Sequence, residues 1–244
     1  MENQVRIFES IDELADYFGN MLVESINKIP IDAFFTIALS GGSTPKKVFE
    51  FLASNYKDKI DWQKVLVFWG DERCVNPESD ESNYKMFEES ILVKVSIPPD
   101  NIFRIKGEEN PMEEAVRYSE IIRKHVPQFH NAPQFDFMML GLGEDGHTAS
   151  IFPDNLQLFE SEIFCEVAIN PYTKQQRITV TGKVINQSKT IVFIATGESK
   201  SEMVARIIER KNGCEFLPAS KIKPENGELI WLLDKPAANG LEIY

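Results

Sequence analysis

Residues 140–153 read LGLGEDGHTASIFP, a stretch that is either a cradle for a cofactor pyrophosphate or a turn presenting a catalytic base. Gly141, Gly143 and Gly146 have the G-x-G-x-x-G spacing of a dinucleotide-binding loop, and His147 follows the third glycine directly. Such a loop belongs to the first strand–turn–helix unit and opens a long helix. Here it follows roughly the fourth strand candidate, and Pro153 stops any helix almost at once. This context therefore argues against nicotinamide binding. It predicts a sharp turn leaving a strand, with Asp145 and His147 on either side of the last glycine. Histidine titrates near neutrality and can serve as a general base.

Working outward, FDFMMLGLG (135–143) reads as a central strand. So do AFFTIAL (33–39) and VLVFW (65–69), continuous apolar runs of the type buried on both faces of a parallel sheet. VRIF (5–8), FCEVAI (164–169), RITVT (177–181), TIVFIAT (190–196) and ELIWLL (228–233) are further strand candidates. Helices are expected over 10–27, where Ser10 and Glu13 fit a capping box, and from about Thr44 to Asn55. Others are expected over 82–95 with Ser82 as cap, over 110–126 with Asn110 capping and Pro111 in the first turn, and over 199–210. Strands alternating with helices predict an α/β fold, a three-layer α/β/α sandwich around a mostly parallel twisted sheet. No linker or repeat divides the chain, so residues 1–244 are read as a single domain.

Ligands of such folds sit beyond the carboxyl ends of the strands. Four ends carry polar residues. At the first, Ser40-Gly41-Gly42 leads to Ser43 or Thr44 as a helix cap, with Pro45 behind. Free N–H groups and the positive end of the dipole make this turn an anion site. At the second, Asp71, Glu72 and Arg73 leave VLVFW; Arg73 suits a two-pronged grip on phosphate or carboxylate, and Asp71 suits sugar hydroxyls. The third is the Asp145–His147 turn. The fourth pairs Arg177, opening RITVT, with Lys200 near a helix start, where a bound anion would offset an unfavourable dipole. His125 and His130 read as surface residues.

Composition narrows the chemistry. With 43% hydrophobic and 26% charged residues the chain is an ordinary globule, and a net charge of −12 argues against nucleic acid as a partner. The N-terminus shows no secretory signal, and no apolar run approaches the ~20 residues of a membrane span. Cys74, Cys165 and Cys214 are scattered, as in a reduced cytoplasmic protein. There is no G-x-S-x-G elbow, no H-E-x-x-H and no Cys/His cluster. Water activated by His147 is the simplest engine left.

Together SGGSTP (40–45), GDER (70–73) followed by SNY (82–84), LGLGEDGHTASIFP, RITVT, TGESK (196–200) and the closing LPASKIKPENGELIWLLDKPAA (217–238) resemble the 6-phosphogluconolactonase family over nearly the whole chain. The resemblance implies a fold like that of glucosamine-6-phosphate deaminase and ribose-5-phosphate isomerase. It implies hydrolysis of a small phosphorylated sugar lactone, 6-phospho-D-glucono-1,5-lactone, with no cofactor and no metal, by a monomer or small homo-oligomer. Carried over, His147 deprotonates the attacking water and Asp145 orients it or the sugar. Gly42, Ser43, Thr44, Asp71, Arg73, Arg177 and Lys200 hold the substrate. Two rival readings are a glucosamine-6-phosphate deaminase and a non-catalytic sugar-phosphate sensor. Gly70-Asp71-Glu72-Arg73 and Ser150-Ile151-Phe152-Pro153 depart from the deaminase pattern, and the chain has no room for a DNA-binding helix pair before its core.

Overall fold

The computed structural model describes residues 4–242. In chain order the first elements are β1 (Gln4–Phe8), α1 (Ile11–Asn27), β2 (Phe35–Leu39), α2 (Ser43–Asn55), β3 (Val65–Trp69), β4 (Asp71–Arg73) and α3 (Asn83–Phe87). They continue with α4 (Pro111–His125), the short hairpin β5 (Gln128–Phe129) and β6 (Ala132–Pro133), β7 (Phe137–Leu140), β8 (Cys165–Ile169) and β9 (Gln176–Val180). The last are α5 (Gly182–Gln187), β10 (Thr190–Ala195), α6 (Ser201–Ile208), β11 (Glu228–Asp234) and α7 (Lys235–Ala238).

Six strands form one parallel sheet in the order β1-β11-β10-β7-β2-β3. The apolar runs behind this are buried along their length in β2, β3 and β7. Alternate side chains serve opposite faces. Phe35, Ile37 and Leu39 of β2 line an apolar space with Phe18 and Leu22 of α1 and Phe49 and Leu52 of α2. Phe68 of β3 packs instead on Phe103 and Phe135, on the side where α4 sends its Tyr118 hydroxyl to the Trp69 backbone. Helices thus cover both faces of a parallel sheet, the expected α/β architecture. Among the described residues no helix is long and apolar enough to cross a membrane.

Two of the expected strands do not join this sheet. β8 and β9 pair antiparallel with each other and with β4, in the order β4-β9-β8. The smaller sheet is tied to the larger one where Val180 N–H donates to Gly70 O at 2.8 Å.

The central sheet changes direction between β2 and β7. From β2 the chain steps outward to β3; from β7 it steps the other way to β10 and β11. Ile37 pairs with Phe137 and Ala38 with Met138, so the ends of these neighbours open side by side. Buried Asp136 fixes that register, its Oδ2 accepting from Thr36 N and Oγ1, both at 2.9 Å. The crevice beyond such a reversal is where open α/β sheets bind ligands.

Helix starts follow the sequence with two differences. Asn110 Oδ1 caps α4, and Ser82 Oγ caps α3. Ser10 Oγ accepts from Glu13 N, but the Glu13 carboxylate returns to Glu9 N rather than to Ser10 N. At α2 the cap is Gly42, with φ of 111°, and not Ser43 or Thr44. Ser43 is the first helical residue, and the Thr44 hydroxyl meets the Thr196 hydroxyl at 2.6 Å. The expected helix over 82–95 is α3 followed by a π-helical turn, Glu88–Leu92.

Candidate active site

A cavity of about 610 Å³ lies beyond the carboxyl ends of β2, β3 and β7. The turn after β7 builds one wall. Gly143 N–H donates to His147 O at 2.8 Å, closing a loop of five residues. Inside it, Asp145 Oδ1 accepts from His147 N at 3.0 Å and faces His147 Nδ1 at 2.5 Å. With Asp145 ionised, Nδ1 carries the proton, which leaves Nε2 as the basic nitrogen. A Cβ on Gly143 would stand 2.0 Å from His147 Nδ1, so only glycine lets the ring lie against this turn. The other ring face packs on Phe152, with centroids 4.7 Å apart.

Burial alone pushes the Asp145 carboxyl up. The hydrogen bond and charge of His147, its backbone N–H and the Tyr172 phenol outweigh that and hold the group at about 2. Asp145 is therefore an anion throughout the neutral range.

The opposite wall is cationic. Arg73 and Arg177 are cross-strand partners in the β4–β9 ladder, and both line the cavity. Like charges placed directly opposite repel. Burial lowers the Arg177 pKa, and the Arg73 charge lowers it further against the pull of Asp71, Glu81 and Glu72. One Arg73 amino group donates to Glu81 O, and Arg177 sits over the Phe152 ring at 5.7 Å. The Nε of each guanidinium is buried with no hydrogen-bond partner in the protein. Guanidinium groups in such pairs suit oxyanions as two-pronged donors. Lys200 completes the cationic set from the start of α6.

The structure brings Gly42, Asp71, Arg73, Asp145, His147, Arg177 and Lys200 onto this one cavity. Ser43 lines an adjoining hollow, and Thr44 is turned to Thr196; neither lines the main cavity. Asp71 is 5% exposed, and its Oδ2 accepts from Ser150 Oγ at 2.6 Å, so one of its two oxygens is engaged within the protein. Glu72 does not line the cavity. Its carboxylate accepts from Arg73 N, Asn83 N, Tyr84 N and Ser82 Oγ at 2.8–3.0 Å, binding β4 to the start of α3. Burial pushes the Glu72 pKa up, against these four donors. His125, against Phe103, and His130, in a turn with φ of 50°, lie outside the cavity.

Two lining residues were not anticipated. Asn83 is 2% exposed; its Nδ2 donates to Asp71 O at 2.9 Å, and its Oδ1 has no partner in the protein. In sequence it was hidden behind Ser82, which explained the helix start by itself. Tyr172 reaches the cavity from the β8–β9 loop, and a lone loop tyrosine carries no sequence signal. Among the described residues, no three His, Cys, Asp or Glu side chains gather as a metal-binding group.

Residues 9–231 match the family described as glucosamine-6-phosphate isomerases/6-phosphogluconolactonase. The chain is 38% identical over 227 residues to a 6-phosphogluconolactonase of Treponema pallidum, covering 93% of each chain. It is 41% identical over 202 residues to a 6-phosphogluconolactonase of Haemophilus influenzae, covering 82% of this chain and 85% of that one. A crystal structure of 6-phosphogluconolactonase from Leishmania guyanensis superposes with a TM-score of 0.87 at 25% identity, covering 98% of this chain and 99% of that one. By this match, these identities and this superposition, the chain belongs to the glucosamine-6-phosphate isomerase/6-phosphogluconolactonase family.

Proposed function

We propose that this protein hydrolyses 6-phospho-D-glucono-1,5-lactone to 6-phosphogluconate, with water activated by His147. One juxtaposition carries the reading: a histidine–carboxylate pair and three cations line the same cavity. A lactone is an activated ester, so a positioned water and a base suffice. His147 Nε2 takes a proton as the water oxygen bonds to the carbonyl carbon. Asp145 stabilises the imidazolium. The carbonyl oxygen becomes an oxyanion, held by fixed donors. Collapse breaks the bond to the ring oxygen, which takes the proton back from His147. The new carboxylic acid then ionises. Arg73, Arg177, Lys200 and the free N–H groups at the start of α2 share the phosphate and the oxyanion. Binding the remote phosphate fixes the carbonyl against the water. Asn83 Oδ1, with no partner in the protein, suits a sugar hydroxyl. The reaction is redox-neutral and draws on no cofactor.

The relatives' names favour the lactonase over the deaminase, whose reaction releases ammonia. The test is lactone loss at pH 7, the lactone being generated in situ from glucose 6-phosphate and compared with its spontaneous decay. Wild type is expected to consume it rapidly, and His147→Ala to be slower by about 10²–10⁴-fold. Equal activity in both would move the base elsewhere. Activity in neither, with ammonia released from glucosamine 6-phosphate, would replace the reading by its rival.

A further inference from the structure

Tyr172 stands at the tip of the hairpin joining β8 and β9. It is 71% exposed, yet it lines the cavity. The tip is firmly built. Asn170 Oδ1 accepts from Tyr172 N at 2.9 Å and Thr173 N at 3.0 Å. Asn170 N donates to Gln175 O and Lys174 N to Asn170 O, both at 2.9 Å. Gln175 Nε2 reaches across to Glu81 Oε2 at 2.9 Å, and Glu81 is also the residue whose carbonyl Arg73 holds. A fixed backbone that pushes an aromatic ring into water at a cavity mouth sets that ring against something.

That partner is Asp145. The two oxygens of its carboxylate differ. Oδ1 takes both His147 donors. Oδ2 is buried and completes no hydrogen bond with the protein. An ionised carboxylate accepts only, and a buried oxygen without a donor is costly. The Tyr172 phenol lies close enough for the Asp145 charge to push its pKa up, so it keeps its proton and remains a donor. The donor and the orphan acceptor belong to residues that line the same cavity.

We propose that Tyr172 is a positioning residue, its hydroxyl donating to Asp145 Oδ2 and so setting how strongly Asp145 supports protonated His147. A donor on Oδ2 draws charge away from Oδ1, the oxygen facing His147 Nδ1. The imidazolium is then held less tightly and returns its proton more readily to the leaving ring oxygen. The other charged groups facing His147 are Glu144 and Asp145 on its own turn, Asp71 and Arg73 on β4, Arg177 on β9 and Lys200 at the start of α6. Tyr172→Phe leaves all of them in place, so a change in His147 titration between the two proteins isolates the phenol. The structural half of this inference stands apart from the substrate; the kinetic half rests on the hydrolysis proposed above.

The experiment is an NMR titration of the ring C–H signals in wild type and Tyr172→Phe, without substrate. The chain has three histidines, and the spectrum of His147→Ala assigns the one that matters. The expected result is a His147 midpoint higher by about half a pH unit in Tyr172→Phe, with His125 and His130 unmoved. Coincident His147 midpoints overturn the proposal. On the lactone, the acid limb of kcat/KM is expected to move upward with the NMR midpoint while KM changes little. An acid limb that stays put while the NMR midpoint moves overturns the catalytic part. If wild type leaves the lactone untouched, the hydrolysis reading falls and the titration alone decides the role of Tyr172.

Discussion

Asp145 holds one nitrogen of His147 at 2.5 Å, and the ring lines the cavity. Because the Asp145 carboxyl is held at about 2, below its ordinary 3.8, the stability it contributes is present above about pH 4 and is lost as pH falls through about 2. Asp145→Asn is expected to flatten the acid-unfolding curve over that window and to lower kcat by about 10²–10⁴-fold at neutral pH. A curve unchanged between pH 4 and 2 would show that the pairing contributes nothing to folding. The arginine pair predicts an opposite balance. Arg177 is buried beside a like charge, so Arg177→Met is expected to leave the free protein as stable as wild type or more so. The same change should raise KM about 10-fold or more, the loss of a charge-assisted contact. Thermal unfolding and initial rates on one preparation read both. A destabilised variant with unchanged KM would mean the guanidinium serves the fold and not the ligand.

At the scale of elements, the turn after β7 depends on the absence of a side chain. Gly143→Ala places a methyl 2.0 Å from His147 Nδ1, against a ring already packed on Phe152. The expected outcome is a folded protein, by circular dichroism, with kcat lowered about as far as by His147→Ala; full activity would show that the ring has room to move. Most of this architecture was legible in sequence. Continuous apolar runs such as FTIAL and VLVFW identify parallel strands because both of their faces are buried, and Asn110 and Ser82 marked helix starts by chemistry that acts within a few residues. What escaped depends on partners far along the chain. β4 is three residues long and exists because β9 pairs with it, and CEVAI gives no sign that it belongs to a second sheet. Ser43 and Thr44 looked like caps by residue type; backbone geometry gave the role to Gly42. Tyr172 and Asn83 became visible only once folding set them against Asp145 and Asp71.

Taken whole, the molecule carries a net charge of −12 yet gathers three cations at one cavity, with buried guanidinium donors that nothing in the protein satisfies. Anions should therefore stabilise it against its overall charge. Inorganic phosphate at about 100 times its Kd should add about 2.7 kcal/mol, raising Tm by roughly 5–10 °C for a chain of this size. Arg177→Met should lose most of that rise, and an equal rise in both proteins would place the anion elsewhere. His147 follows a strand of the parallel sheet, and the guanidinium pair belongs to the antiparallel one. Val180 to Gly70, Ser150 N to Thr179 Oγ1 at 3.2 Å and Ser150 Oγ to Asp71 Oδ2 at 2.6 Å are the rivets between them. A bound molecule has to span the gap those rivets set, so the joint between the sheets works as a caliper. Respacing it at Ser150 would change the length of molecule that fits while leaving the chemical identity of every cavity group unchanged.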